Sequence, residues 1–169
     1  KGLTQNLQLM PLSEGSMVGV AVGMAIAGRH PLVELVDSAG IHRIQGALAE
    51  ASALFTRSEG GFQPAMVILC PEGDCLPQLP PGIQLWVASQ PGDLPAMVSA
   101  AFDQRAIVLV LYSQQAVEQE GEIQPFSTAA RVQEGTIPCT ILTWGAGVQA
   151  AQVAKTGASL VDLCCIYPL

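Results

Sequence analysis

The sequence predicts an α/β fold: a mainly parallel sheet with helices on both faces, followed by a trailing βαβ fragment. Three observations carry this. The stretches 32–36, 65–70, 83–88 and 106–112 are short and almost wholly apolar, as expected of strands covered on both sides. Segments with helical apolar spacing, 41–57 and 93–103, lie between them. Strand and helix therefore alternate, the order that builds parallel sheets.

The chain is organised around residues 11–28. Pro11 favours an extended conformation at the residue before it. Ser13 is placed to cap a helix, and Glu14 falls in the first turn, where the helix dipole favours negative charge. A helix over 14–27 follows, uncharged from Met17 onward, with glycine at 15, 19, 23 and 28. An interior glycine costs about 1 kcal/mol relative to alanine. Their repetition predicts a neighbour that approaches the helix backbone closely. Residues 1–12 read as an approach segment with a short helix ending near Leu9.

Downstream, Asp37-Ser38-Ala39-Gly40 forms a turn at the carboxyl end of the 32–36 strand, where ligands collect in open α/β sheets. The helix over 41–57 puts Ile41, Ile44, Ala47, Leu48 and Ala51 on one face. Residues 58–64 are a loop, and 76–82 are proline-rich and irregular. Asp93 opens the next helix, with Pro95 in its first turn. The polar stretch 113–134, with Glu118, Glu120, Glu122 and Glu134, reads as a linker pinned by Phe126 and Val132. A new βαβ unit follows: a strand from Cys139, the turn Gly145-Ala146-Gly147, a helix over 148–155 and a strand over 158–163. The glycines open a helix but lack the third member of a dinucleotide fingerprint, since position 150 is Ala. A tight strand–helix turn is the expectation. The division is thus residues 1–113, a linker over 114–135, and 136–169. A lone βαβ unit cannot close its own core, so it is expected to pack on the first domain, on a partner, or on further sequence.

Composition limits the functional classes. Half of the 169 residues are hydrophobic and only 12% are charged, which predicts subunit contacts. A net charge of −7 argues against nucleic acid or an anionic membrane as partner. No apolar run reaches the roughly 18–20 residues of a membrane span, and no stretch reads as a secretory signal. The five cysteines (70, 75, 139, 164 and 165) form no CxxC pair and suit reduced, mostly buried thiols of a cytoplasmic protein.

The run from Pro11-Leu12-Ser13-Glu14-Gly15 through Gly19, Gly23 and Gly28, then Arg29-His30-Pro31-Leu32-Val33-Glu34, resembles the pyrimidine-binding domain of thiamine-diphosphate enzymes. It looks most like the β subunit of the decarboxylating component of 2-oxo acid dehydrogenases, of pyruvate and branched-chain type. The resemblance implies an oxidoreductase subunit with thiamine diphosphate and magnesium as cofactors. The carboxyl of Glu14 would hydrogen-bond a ring nitrogen of the aminopyrimidine and promote the imino tautomer that deprotonates the thiazolium carbon. Such a carboxyl shares a proton with the ring, so its surroundings should raise its pKa. Read by position alone, Glu14 only charges a helix N-terminus. The resemblance also implies an α-type partner subunit, whose G-D-G…N motif holds magnesium and diphosphate. It further implies a homo-oligomeric contact through Gly15, Gly19 and Gly23.

The chain departs from the family pattern in three places. Counted without a gap from Glu34 to Gly60-Gly61, the aromatic positions that flank the pyrimidine fall on Ser38 and Gly40, at about 1 kcal/mol per lost stacking contact. The histidine-bearing H-S-Q loop should follow Cys70, but Pro71-Glu72-Gly73-Asp74 leads directly into Cys75. His30 and His42 do not replace it by position and read as solvated or structural. The G-D-G…N motif does not occur, so any cofactor site forms with another chain. A working β-type subunit and a degenerate domain kept as scaffold or assembly subunit both stay open. Transketolase-like chemistry is a weaker third possibility.

Overall fold

The computed structural model describes residues 10, 13–62, 64–73, 76–119, 121–123 and 125–167. The expected helix before Leu9 and the junction at Asp74-Cys75 lie outside them. Alternating side chains of the central strands divide into two apolar clusters, one on each face of a five-stranded sheet. The elements are α1 (Glu14–Ile26), β1 (Leu32–Glu34), α2 (Gly40–Arg57), β2 (Met66–Pro71), β3 (Ile83–Ala88), α3 (Asp93–Asp103) and β4 (Ile107–Tyr112). Beyond them come α4 (Gln114–Glu118), β5 (Arg131–Gln133), β6 (Thr140–Thr143), α5 (Ala146–Ala154), β7 (Ser159–Asp162) and β8 (Cys165–Tyr167).

The main sheet runs β1-β2-β4-β3-β8 and is parallel except for β8. Leu109 of β4 stands opposite Ile68 of β2 and Leu85 of β3, giving one continuous apolar row. With Val18 of α1 and Ile44 and Leu48 of α2, that row forms the first cluster. On the other face Val67, Trp86, Val108 and Val110 pack with Met97 and Ala101 of α3. Strands buried on both faces need the near-continuous apolar runs seen in the sequence.

The structure departs from the sequence reading between 113 and 134. That stretch carries a short helix and an edge strand: β5 pairs antiparallel with β7, while β6 and β7 form the parallel pair of the βαβ unit. Val132 is 61% exposed and pins nothing by its side chain. The pins are Phe126, whose ring lies 4.4 Å from that of Trp86, and Arg131. Charge is what a polarity-based reading of this stretch overlooks.

Arg131 donates from Nη1 and Nη2 to both carboxylate oxygens of Asp93, at 3.0 and 2.7 Å, and lies 3.7 Å from Asp162 Oδ2. Asp93 also accepts from the Ser89 and Gln90 backbone N–H groups. Asp162 accepts from the Ser89 hydroxyl, which in turn accepts the Gly145 N–H. This network joins α3, β5, β7 and the turn before α5. The βαβ unit thereby packs against α3 and the residue that follows β3, and β8 completes the contact by pairing with β3.

Removing the cation would leave two buried carboxylates uncompensated. Arg131→Met is expected to lower stability by about 3 kcal/mol in urea denaturation. A loss below about 1 kcal/mol would show that the knot is not what docks the unit.

Candidate functional site

Ser13 is the residue before α1, but its hydroxyl bonds the Ser16 hydroxyl at 2.9 Å and makes no backbone cap. Glu14 turns inward and is 3% exposed. It points under the loop that follows β1, where the Val36 N–H reaches Oε1 at a long 3.4 Å. Gly40, the first residue of α2, lies against it: a Cβ there would stand 2.6 Å from Oε1. Glycine is what lets the α2 backbone close over the carboxylate.

The third contact is Arg43, one turn into α2. Its Nε donates to Glu14 Oε2, and its Nη2 donates to Asp37 Oδ1 at 2.6 Å. Asp37 Oδ1 also accepts the Gly40 N–H at 2.9 Å. Arg43 and Asp37 are half-exposed, while Glu14 is buried. The guanidinium hydrogen bond draws the Glu14 carboxyl below the usual carboxylate range, outweighing the desolvation that pushes it up. Asp37 is lowered for the same first reason. This corrects the expectation of a raised pKa: in this conformation Glu14 is an ion-paired carboxylate with no proton to share.

Gly40 lies beside Glu14, and neither it nor Ser38 brings a ring. Ser38 packs on Gly73, where a Cβ would lie 2.6 Å from the Ser38 Cβ. Gly73 is in turn part of the wall of an open cavity of about 590 Å³ at the carboxyl ends of β2 and β4, bordered also by Glu72, Tyr112 and Ser113. Glu72 accepts the Ala146 N–H at 2.9 Å, so its carboxylate already takes the α5 N-terminus. The Gly145-Ala146-Gly147 turn is a packing turn, with Gly145 at φ +54°. His30 and His42 are exposed.

Among the described residues, Gly15 alone of the α1 glycines meets another element: a Cβ there would stand 3.3 Å from the Arg43 carbonyl oxygen. Gly19 and Gly23 face open space beside the exposed Val20 and Met24. Cys70 and Cys164 are buried, and desolvation pushes their thiols up to about 12 and about 11. Among the described residues no three His, Cys, Asp or Glu side chains are grouped to hold a metal. No helix among them is long and apolar enough to cross a membrane.

No protein-family model matches the chain. Two curated proteins are similar to it, each at 26% identity over 94% of the chain: the pyruvate dehydrogenase E1 component subunit beta of Acholeplasma laidlawii and the 2-oxoisovalerate dehydrogenase subunit beta of Bacillus subtilis. The chain spans 57% of each of these relatives. A split-gene transketolase, an inactive beta4 tetramer, shares the fold at TM-score 0.69 and 16% identity, over 98% of this chain and 59% of that one. The chain resembles the pyrimidine-binding domain of 2-oxo acid dehydrogenase β subunits. Its fold is the thiamine-diphosphate-binding type, transketolase-like.

Set against the aminopyrimidine that the resemblance implies, the site holds one buried carboxylate, Glu14. Ser38 and Gly40 offer nothing to stack on. Arg43, Asp37 and Glu72 escaped the sequence reading. Arg43 lies 29 positions from Glu14, so no local pattern links them, although Asp37 opens the turn already singled out and Arg43 follows shortly after it.

Two outcomes test this geometry. Arg43→Met should raise the Glu14 pKa in a carboxyl-carbon NMR titration, because burial then acts unopposed by the guanidinium. Folded-state values below the ordinary 4.5 of Glu14 and 3.8 of Asp37 mean stability that is complete above those values and lost as pH falls through the lowered ones. The variant should lose that acid-limb dependence. Separately, Gly40→Ala should cost about 1–3 kcal/mol by pushing the new methyl into the carboxylate, as read by thermal unfolding.

Proposed function

We propose that the chain is a β-type subunit of a thiamine-diphosphate-dependent 2-oxo acid dehydrogenase, acting in the oxidative decarboxylation of a small 2-oxo acid. One observation carries this reading. The acid at the head of the glycine-rich helix is buried beneath the loop at the carboxyl end of β1, where the resemblance assigns the aminopyrimidine contact. The cofactor would supply a nucleophilic carbon and an electron sink for decarboxylation. Glu14 would hold a proton at the ring nitrogen, and the Gly40 backbone would fix the carboxylate's orientation. Ser38 would border the ring without stacking on it.

Diphosphate and magnesium would be held by an α-type partner chain, which carries the G-D-G…N motif in the family this chain resembles. The exposed stripe of Gly19, Val20, Gly23 and Met24 suits a contact between two copies. The buried thiols suit a cytoplasmic setting. A second reading, a degenerate domain kept as scaffold or assembly subunit, is favoured by the ring-less positions 38 and 40.

Calorimetric titration of thiamine diphosphate with magnesium, in the presence of an α-type partner, separates the two. The subunit reading expects saturable binding that weakens at least tenfold in Glu14→Gln. No binding to the wild type under these conditions would leave the assembly reading. Sedimentation should show self-association that Gly19→Leu abolishes; a wild-type chain that stays monomeric would remove the two-copy contact.

A further inference from the structure

We infer that Arg43 is a displaceable counter-ion of Glu14, which an incoming aminopyrimidine must shift onto Asp37 before it can hydrogen-bond the buried carboxylate. This rests on the reading of Glu14 proposed above and concerns how that site is opened.

The Glu14 side chain has 1% of its surface exposed, so a ligand reaches it only by moving one of its neighbours. Among its described contacts, Val36 offers a backbone N–H beside β1 and Gly40 is backbone at the start of α2. Gly40 cannot move without unwinding the first turn of α2, and the Val36 N–H, in the loop after β1, touches only Oε1 at a long 3.4 Å. Arg43 is different: its side chain is 50% exposed, and it lies on Oε2, the oxygen away from the closest Gly40 approach. It is the movable wall.

A second anchor makes the movement inexpensive. Arg43 Nη2 already holds Asp37 Oδ1 at 2.6 Å, and the Asp37 side chain is 56% exposed. When Nε leaves Glu14, the guanidinium keeps a carboxylate partner and gains water. An exposed ion pair of this kind contributes little either way, so leaving costs little at the outer anchor. The inner anchor loses a cation, which must be replaced because a buried carboxylate cannot stay uncompensated. An aminopyrimidine that picks up a solvent proton at its ring nitrogen is such a replacement. One cation departs, one protonated ring arrives, and the local charge is unchanged. Arg43 thus guards Glu14 when no ring is present.

The test uses 4-amino-2-methylpyrimidine as probe, titrated into the whole chain carrying carbon-13 glutamate, with binding read at the Glu14 carboxyl resonance. Arg43→Met should bind at least tenfold more tightly than wild type, and the gain should vanish in the double variant with Glu14→Gln. Asp37→Asn keeps an acceptor for the Gly40 N–H but removes the outer charge, so it should bind severalfold more weakly. In wild type, the Arg43 Nε–H should lose its exchange protection as the probe saturates, a readout that survives if Arg43→Met does not fold. If the probe binds through Glu14 but neither Arg43→Met nor Asp37→Asn changes its affinity, the counter-ion exchange is overturned and the site stands. If the probe binds no variant, the site reading falls and the exchange falls with it.

Discussion

A carboxylate carried into the interior of a protein must bring a cation with it or give up its charge. At Glu14 that requirement organises the amino-terminal half of the chain. The carboxylate opens α1, the cation comes from α2, and the backbone that closes over both leaves β1. Three elements that share the first hydrophobic cluster are thus also tied at one polar point. The same point lies where ligands gather in open α/β sheets. In the proposed function, support and chemistry would share the residue, and the glycine at 40 would serve both by allowing the approach.

A similar logic holds the second half. Asp93 and Asp162 come from units far apart in the chain, and one guanidinium with one hydroxyl satisfies both. No buried polar side-chain atom among the described residues lacks a partner, so the contact between the two sheets is specified by geometry as well as by area. An apolar contact there would tolerate sliding; a bidentate one does not.

The fold was legible because its strands are buried on both faces. A run such as Ile107-Val108-Leu109-Val110-Leu111 has no other stable use in a chain that alternates strands with helices of this length. Glu14 was legible through the glycine pattern that follows it. What was not legible depends on distance in the chain. The pairing of Arg43 with Glu14, and of Arg131 with Asp93, joins residues whose neighbours give no sign of each other. The direction of the Glu14 pKa was misjudged for this reason: burial could be inferred from the pattern, but the cation could not. The strand at 131–133 was hidden by its polarity, which suits the edge of a sheet as well as it suits a loop.

The antiparallel strand β8 has a consequence for how the molecule is made. It seals the β3 edge of the main sheet with residues from the far end of the described chain, Trp86 standing opposite Cys165. During synthesis the β3 backbone is therefore without its final neighbour until much of the remaining chain has emerged. Pairings of such long sequence separation close slowly, and an unpaired edge is where nascent chains associate wrongly. Pairing of β8 with β3 thus closes one edge at which nascent chains could pair wrongly.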